Sequence, residues 1–336
     1  MLILNGPDGK QIAEMNAIDG GPESLSHEAA ISGTYRLVVR SPGARTLHGS
    51  YRLEMLTRPA ATAEDRRFLA AQALFLEGMA LSKPGSQTMP QAIENFQQAL
   101  PLWREIGAPF WIAITLNKYG RAHVMLGQND KAIPIYDQSL AITREFKDHF
   151  NEGIALNGLA NAYFNMRKFE QAAESFDQSA AVFREAKYPR WEGLNIYSRG
   201  NAYLALNRQE QAAASYEASL PILREVGDRM FEAQALTSLG NVHLNRGQMD
   251  KAVAVTEAAI AIQRELGDRA HGRQIAQQSG YFLRSRLGQP AKSIEILQNV
   301  LKLFRELRIG RMKTPLSSRW IYLRWNGRDR KGDRLF

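Results

Sequence analysis

Four residues spaced forty apart, Arg121, Asn161, Asn201 and Asn241, set a polar side chain at one place in successive stretches of the chain. Asn117 and Asn157 stand four residues earlier, and Asn165 and Asn245 four residues later, which on a helix is the same face one turn away. An amide carries both donors and an acceptor, so a ladder of amides can hydrogen-bond the main chain of an extended peptide without demanding a sequence. The same ladder would equally solvate an open groove or join adjacent helices. Arg121, at one end, suits an acidic side chain or a terminal carboxylate, and Arg199 suits either such a group or a partner within the chain.

Other chemistries find fewer residues to stand on. His123 and His243 occupy the column in which Tyr163 and Tyr203 stand, with no second ligand at metal spacing, so they read as packing groups and no metal site is expected. The chain has no cysteine, which removes thiolate nucleophiles, disulfides and cysteine metal sites together. It has no phosphate-binding glycine loop, no Ser-His-Asp set on suitable elements and no paired carboxylates in a recognisable context. The expectation is a non-enzymatic protein without a cofactor. Phe75, Trp103, Phe110 and Trp111 fall in or beside expected helices and read as core.

The elements that position these side chains follow from a repeat. An Arg-Glu pair recurs at 104–105, 144–145, 184–185, 224–225 and 264–265, and one residue late at 305–306. A constant step of this size marks a copied supersecondary unit that buries its apolar faces only by stacking. Within each unit apolar residues fall at helical spacing, as at Ile154, Leu156, Leu159 and Tyr163, then Ala172, Ala173, Phe176 and Ala180, so each unit is a helical hairpin. Gly120, Ala160, Gly200, Gly240 and Gly280 form one small column, and Ala132, Ala172, Ala212 and Ala252 a second, with Tyr136, Phe176 and Tyr216 four residues on. Small residues let two backbones approach while the aromatic fills the space between them. Gly107, Gly227 and Gly267 suit left-handed helix ends, and Asp228 and Asp268 suit the caps that follow. The first unit places helices near 64–82 and 90–106 around a loop at 82–88, and six hairpins result. The Arg-Glu pairs read as scaffold, the cation favoured by the helix C-terminus and the Glu placed to bridge to the next hairpin.

Over roughly residues 64–308 these columns resemble the tetratricopeptide repeat family, which asks for apolar-Gly-x-x-Tyr in the first helix and Ala-x-x-x-aromatic in the second. The forty-residue unit resembles that family's longer variant. Departures are Arg199 and Ser279 before the column glycine, Thr256 for the aromatic, and Ser293 for the alanine after an inserted residue near Leu287. The resemblance implies a mainly α fold, a right-handed α-solenoid. Its concave groove, lined by the first helices, would bind a protein or peptide, with Asn117, Arg121, Asn157, Asn161, Asn165, Asn201, Asn241 and Asn245 as the contacts.

The flanks differ from the array. Residues 1–60 carry a Gly6-Pro7-Asp8-Gly9 turn and alternating stretches at 34–39 and 50–55, a strand-rich piece that reads as a partial β-sandwich. It is similar to the second half of domains related to bacterial pre-peptidase C-terminal domains. The order of parts resembles bacterial proteins in which a caspase-like protease domain of the CHAT type follows the repeats. That class needs a His and Cys pair, so the resemblance implies a regulatory arm without its enzyme.

Of the formal charge of +9, residues 308–336 supply nine Lys or Arg against two Asp, so the remainder is close to neutral and nucleic-acid binding by the array is disfavoured. The segment 309–336 continues no repeat column and reads either as a basic cap or as out-of-frame translation. In the second case the apolar face with Ile294, Leu297 and Leu301 lacks its neighbour, and self-association is expected. No apolar run approaches bilayer length and no signal peptide opens the chain, so the expectation is a soluble protein without a membrane partner, cytoplasmic rather than exported.

Overall fold

In a computed structural model of the 336-residue chain, the residues described are 2–5, 7–15, 36–39, 61–83, 85 and 87–266. The chain divides into two units, Met1–Gly267 and Asp268–Phe336. The sixth expected hairpin, the basic tail and the strand expected at 50–55 lie outside the described residues.

Near the N-terminus β1 (Leu2–Asn5), β2 (Gln11–Met15) and β3 (Arg36–Val39) form an antiparallel sheet in the order β2-β1-β3. The expected Pro-Asp-Gly turn joins β1 to β2, with Gly9 at φ +78° and the Lys10 N–H donating to Asp8 Oδ1 at 3.0 Å. A positive φ is open to glycine without a Cβ penalty. The sandwich reading beyond this sheet lies outside the described residues.

Among the described residues ten helices follow, paired as five hairpins: α1 (Ala63–Leu81) with α2 (Met89–Glu105), α3 (Pro109–Met125) with α4 (Asn129–Glu145), α5 (His149–Asn165) with α6 (Phe169–Glu185), α7 (Pro189–Ala205) with α8 (Gln209–Glu225), and α9 (Arg229–Asn245) with α10 (Met249–Glu265). Thr62 opens α1 with a capping box: its side chain accepts from the Asp65 N–H, and Asp65 accepts from the Thr62 N–H at 2.8 Å. From α2 onward every helix is 17 residues long. From α2 onward the joint between consecutive helices is always the same. Residues 107, 127, 147, 167, 187, 207, 227 and 247, one every twenty, take a positive φ between 55° and 73°. At each joint the last turn closes in the same way, as where the Gly107 N–H meets the Arg104 carbonyl at 3.1 Å and the Ala108 N–H meets Trp103 at 3.0 Å. This is the Schellman closure, which supplies partners for the carbonyls a helix end leaves over. Gly107 and Gly227 are left-handed as their residue type suggests, but Lys147, Arg167, Lys187 and Asn207 adopt the same conformation without being glycine.

Packing between helices follows the small and large columns. A Cβ on Gly120 would meet the Tyr136 ring at 2.8 Å, and one on Gly158 would run into the same ring from the next hairpin. Tyr136 is therefore clasped between α3 and α5, and burial pushes its hydroxyl pKa up. Gly78 stands against Phe96 and Gly200 against Tyr216 in the same way, while Thr256 takes the aromatic's place against Gly240. At the first hairpins the core is aromatic: Trp103 and Trp111 stack with centroids 4.9 Å apart, and Phe68 and Phe75 meet Trp111 edge-on. Phe75 and Trp103 are fully buried and Phe110 packs against their cluster, as expected of core residues.

Candidate functional site

The first helices α3, α5, α7 and α9 carry the amide columns, and each amide has a distinct environment. Asn117 is 3% exposed; its Nδ2 donates to the Asn151 carbonyl at 3.1 Å, and its Oδ1 accepts from Ser139 Oγ at 2.8 Å. Its hydrogen bonds join α3 to α4 and α5, and it offers nothing to a groove ligand, which corrects its place among the expected contacts. A buried amide is stable only when so satisfied. Asn157 is half-buried and donates to Asn195 Oδ1 across to α7 at 2.8 Å, and the fully buried Asn195 donates in turn to the Trp191 carbonyl.

Beyond these two the row comes to the surface. Asn161 is exposed, steadied by donation of its Nδ2 to the Asn157 carbonyl at 2.7 Å and to Asn157 Oδ1 at 3.1 Å. Asn165 is exposed and donates to Asn129 Oδ1 on α4 at 3.2 Å. Asn201 is half-buried, its Oδ1 accepting from the Tyr216 hydroxyl at 2.7 Å, which leaves its N–H groups for another partner. Asn241 is half-buried, and Asn245 and Arg121 are exposed.

Several residues that hold this row do not stand out in the sequence. Asn129, Asn151 and Asn195 serve as internal partners and share no column with one another. A column of serines at forty-residue spacing, Ser139, Ser179 and Ser219, was there to be read. Ser139 and Ser179 each reach a helix carbonyl of their own hairpin's first helix, Ala113 at 3.3 Å and Gly153 at 2.8 Å.

The Arg-Glu pairs act differently from the expectation. The Arg, not the Glu, bridges to the next hairpin: Arg144 Nε donates to Glu152 at 2.9 Å, Arg184 to Glu192 at 2.7 Å and Arg224 to Glu232 at 2.8 Å. Each pair ties the C-terminal end of a second helix to the first turn of the next first helix, where a carboxylate is favoured by the helix dipole. Arg104 has Ile112 in the equivalent place and reaches Gln138 instead. Arg199 pairs within the array, with Asp177 on α6, and its Nε reaches Ser215 Oγ on α8 at 3.3 Å.

His123 and His243 repeat one arrangement, each ring Nδ1 lying 2.7 Å from the Oε1 of a glutamine five residues on, Gln128 or Gln248. Burial lowers the His123 pKa below its ordinary value, against the raising effect of the Gln128 hydrogen bond. Among the described residues no group of three or more His, Asp and Glu is placed to hold a metal ion, and no helix is long and apolar enough to cross a membrane.

Two tetratricopeptide repeat family models match the chain, one over residues 69–145 and 111–185 and the other over 235–270. Comparison with curated proteins gives no match. Among solved structures, the apo form of RapI superposes with a TM-score of 0.58 at 16% identity, covering 70% of this chain and 83% of that one. Aspartyl phosphate phosphatase F from Bacillus subtilis gives 0.55 at 17% identity, covering 73% and 68%. A Rap protein complexed with Competence and Sporulation Factor gives 0.51 at 17% identity, covering 73% and 72%. Likeness at such identities speaks to fold alone. The described hairpins stack as an α-solenoid, and over residues 69–185 and 235–270 the chain matches tetratricopeptide repeat models.

Proposed function

We propose that the array is a non-enzymatic protein-interaction scaffold that takes an extended partner segment across its first helices. The observation that carries this reading is the row Arg121, Asn161, Asn201 and Asn241, one polar group at the same position of four successive first helices, none of them buried. Such a row matches a partner's main chain by donor and acceptor, with Arg121 placed for a carboxylate at one end. Asn165 and Asn245 extend it one turn further along α5 and α9. Asn117 and Asn157 belong to its support: the first is buried, the second holds Asn161. That a Rap protein of like fold is complexed with Competence and Sporulation Factor makes such a use of the fold reasonable.

The test is selection of peptides from a random display library against the full chain, followed by affinities for Arg121→Ala, Asn161→Ala and Asn241→Ala. Each lost hydrogen bond should weaken binding about two- to tenfold, from about 0.5–1.5 kcal/mol apiece. Asn201 is left intact in this test because it satisfies the Tyr216 hydroxyl. Unchanged affinity of the selected peptides for the Asn161→Ala/Asn241→Ala double variant would remove the row from the reading. The alternative raised by the sequence, a regulatory arm of a caspase-like proteolytic system, rests on resemblance alone; its test is whether the neighbouring coding sequence carries a His and Cys protease segment.

A further inference from the structure

Because the units are copies, each cleft between successive second helices can be compared with its equivalents forty residues away. Between α2 and α4 the cleft holds Tyr119, whose hydroxyl accepts from Gln97 Nε2 at 2.5 Å. Between α6 and α8 it holds Arg199, bonded to Asp177 on one wall and to Ser215 Oγ on the other at 3.3 Å. Between α4 and α6 the equivalent residue is Leu159, which packs in the apolar cluster with Leu140 and Leu156 and has no polar group to bond either wall, and a cleft of about 260 Å³ remains. Leu140, Leu156, Leu159 and Tyr163 line it together with Glu174 and Ser175.

The groups that hold Arg199 are nevertheless present. Asp137, exposed and one turn before Leu140 on α4, stands at the position of Asp177, and Ser175 stands at the position of Ser215. Glu174 adds a carboxylate where the next hairpin has Ala214. Arg144 also lines the cleft, but it is paired with Glu152 at 2.9 Å just as its equivalent Arg184 in the next unit is paired with Glu192 at 2.7 Å. The α8–α10 cleft also has a leucine, Leu239, but Val255 replaces the serine, so the acid and hydroxyl set is incomplete there.

We propose that the α4–α6 cleft is a receptor for a guanidinium group, an arginine side chain presented by a partner protein. Its guest lies over Leu159 as Arg199 lies in the next unit, with its charge toward Asp137 and Glu174, an N–H on Ser175 and its aliphatic stem on Leu156 and Leu159. A planar donor fork satisfies two walls at once, which a lysine ammonium does less well. This cleft is on a different face of α5 from Asn157, Asn161 and Asn165, so the proposal stands apart from the amide row.

The experiment is a titration of the full chain, methyl-labelled at leucine, with N-acetyl-arginine methylamide, and with the citrulline and lysine analogues as controls. The expected result is saturable shifts at the methyls of Leu140, Leu156 and Leu159 with the arginine probe only, at the millimolar affinity suited to a single side chain. Asp137→Asn and Ser175→Ala, both at partly or fully exposed positions, should keep the wild-type melting temperature and weaken the probe severalfold. Leu159→Arg should close the cleft with its own side chain and abolish the shifts. Absence of saturable shifts, equal binding of the citrulline probe, or binding unchanged in Asp137→Asn overturns the proposal.

Discussion

At position 158 the absence of one methyl group lets the Tyr136 ring lie between two hairpins. Gly158→Ala would force that ring aside and is expected to destabilise the protein by about 1–3 kcal/mol. Gly193→Ala, whose new Cβ would meet Ile222 and Leu223 at 3.2 Å, should cost less; paired denaturant titrations measure the difference. Asn117→Ala removes the buried hydrogen bonds to the Asn151 carbonyl and from Ser139, which keeps only its longer bond to the Ala113 carbonyl, and should cost about 1–3 kcal/mol without touching a surface ligand. His123 titrates below its ordinary value in the fold, so its neutral form is the one the fold prefers. The stability this gives is fully present above the unfolded value of about 6.5 and is lost as pH falls through the lower folded one. Wild type should therefore lose more melting temperature between about pH 8 and pH 5 than His123→Tyr, which carries the residue found at Tyr163 and Tyr203. The direction each amide takes was not legible from spacing. Asn117 and Asn161 both belong to columns of the same face, yet whether an amide turns inward depends on a neighbour such as Asn151, which shares no repeat column with it.

The helices themselves were legible, because the small column and the aromatic four residues after the second column fix both the period and the partner face. Starts near 64 and 90 differ from Ala63 and Met89 by a residue each. The joints were legible only where glycine marks them. Lys147, Arg167 and Lys187 hold the left-handed conformation because the flanking 17-residue helices and the two closing hydrogen bonds leave the chain no other route. A side chain there costs roughly 1–2 kcal/mol, partly offset by the greater freedom glycine loses on folding. Changing all three to glycine should therefore raise stability, by about 0.5–1 kcal/mol at each joint, read as a shift of the denaturation midpoint at constant slope. The ties between hairpins are unequal. Glu232 is 4% exposed and accepts from both Arg224 and Arg229, whereas Glu152 and Glu192 are 12% exposed. Glu232→Gln removes the carboxylate paired with Arg224 and leaves Arg229 with Glu265 alone, and should destabilise more than Glu152→Gln, since exposed pairs contribute little.

Across the whole array, every substantial helix contact joins neighbours in sequence or first helices one hairpin apart. Stability in such an array is close to a sum of unit and interface terms, so damage stays local. In Gly158→Ala, amide exchange should quicken in α4, α5 and α6 while α9 and α10 keep their protection; uniform quickening would mean that the array melts as one body. The joint that recurs every twenty residues bears on how such a chain changes its length. Its geometry is carried by the backbone and not by any one side chain, so it tolerates new neighbours. Excising residues 148–187 would join Lys147 directly to Tyr188 at an equivalent point, and Arg144 would find Glu192 where it had Glu152. The row of first-helix side chains is thus graduated in hairpins, and under the proposed function the span of partner it would take is inherited as a whole number.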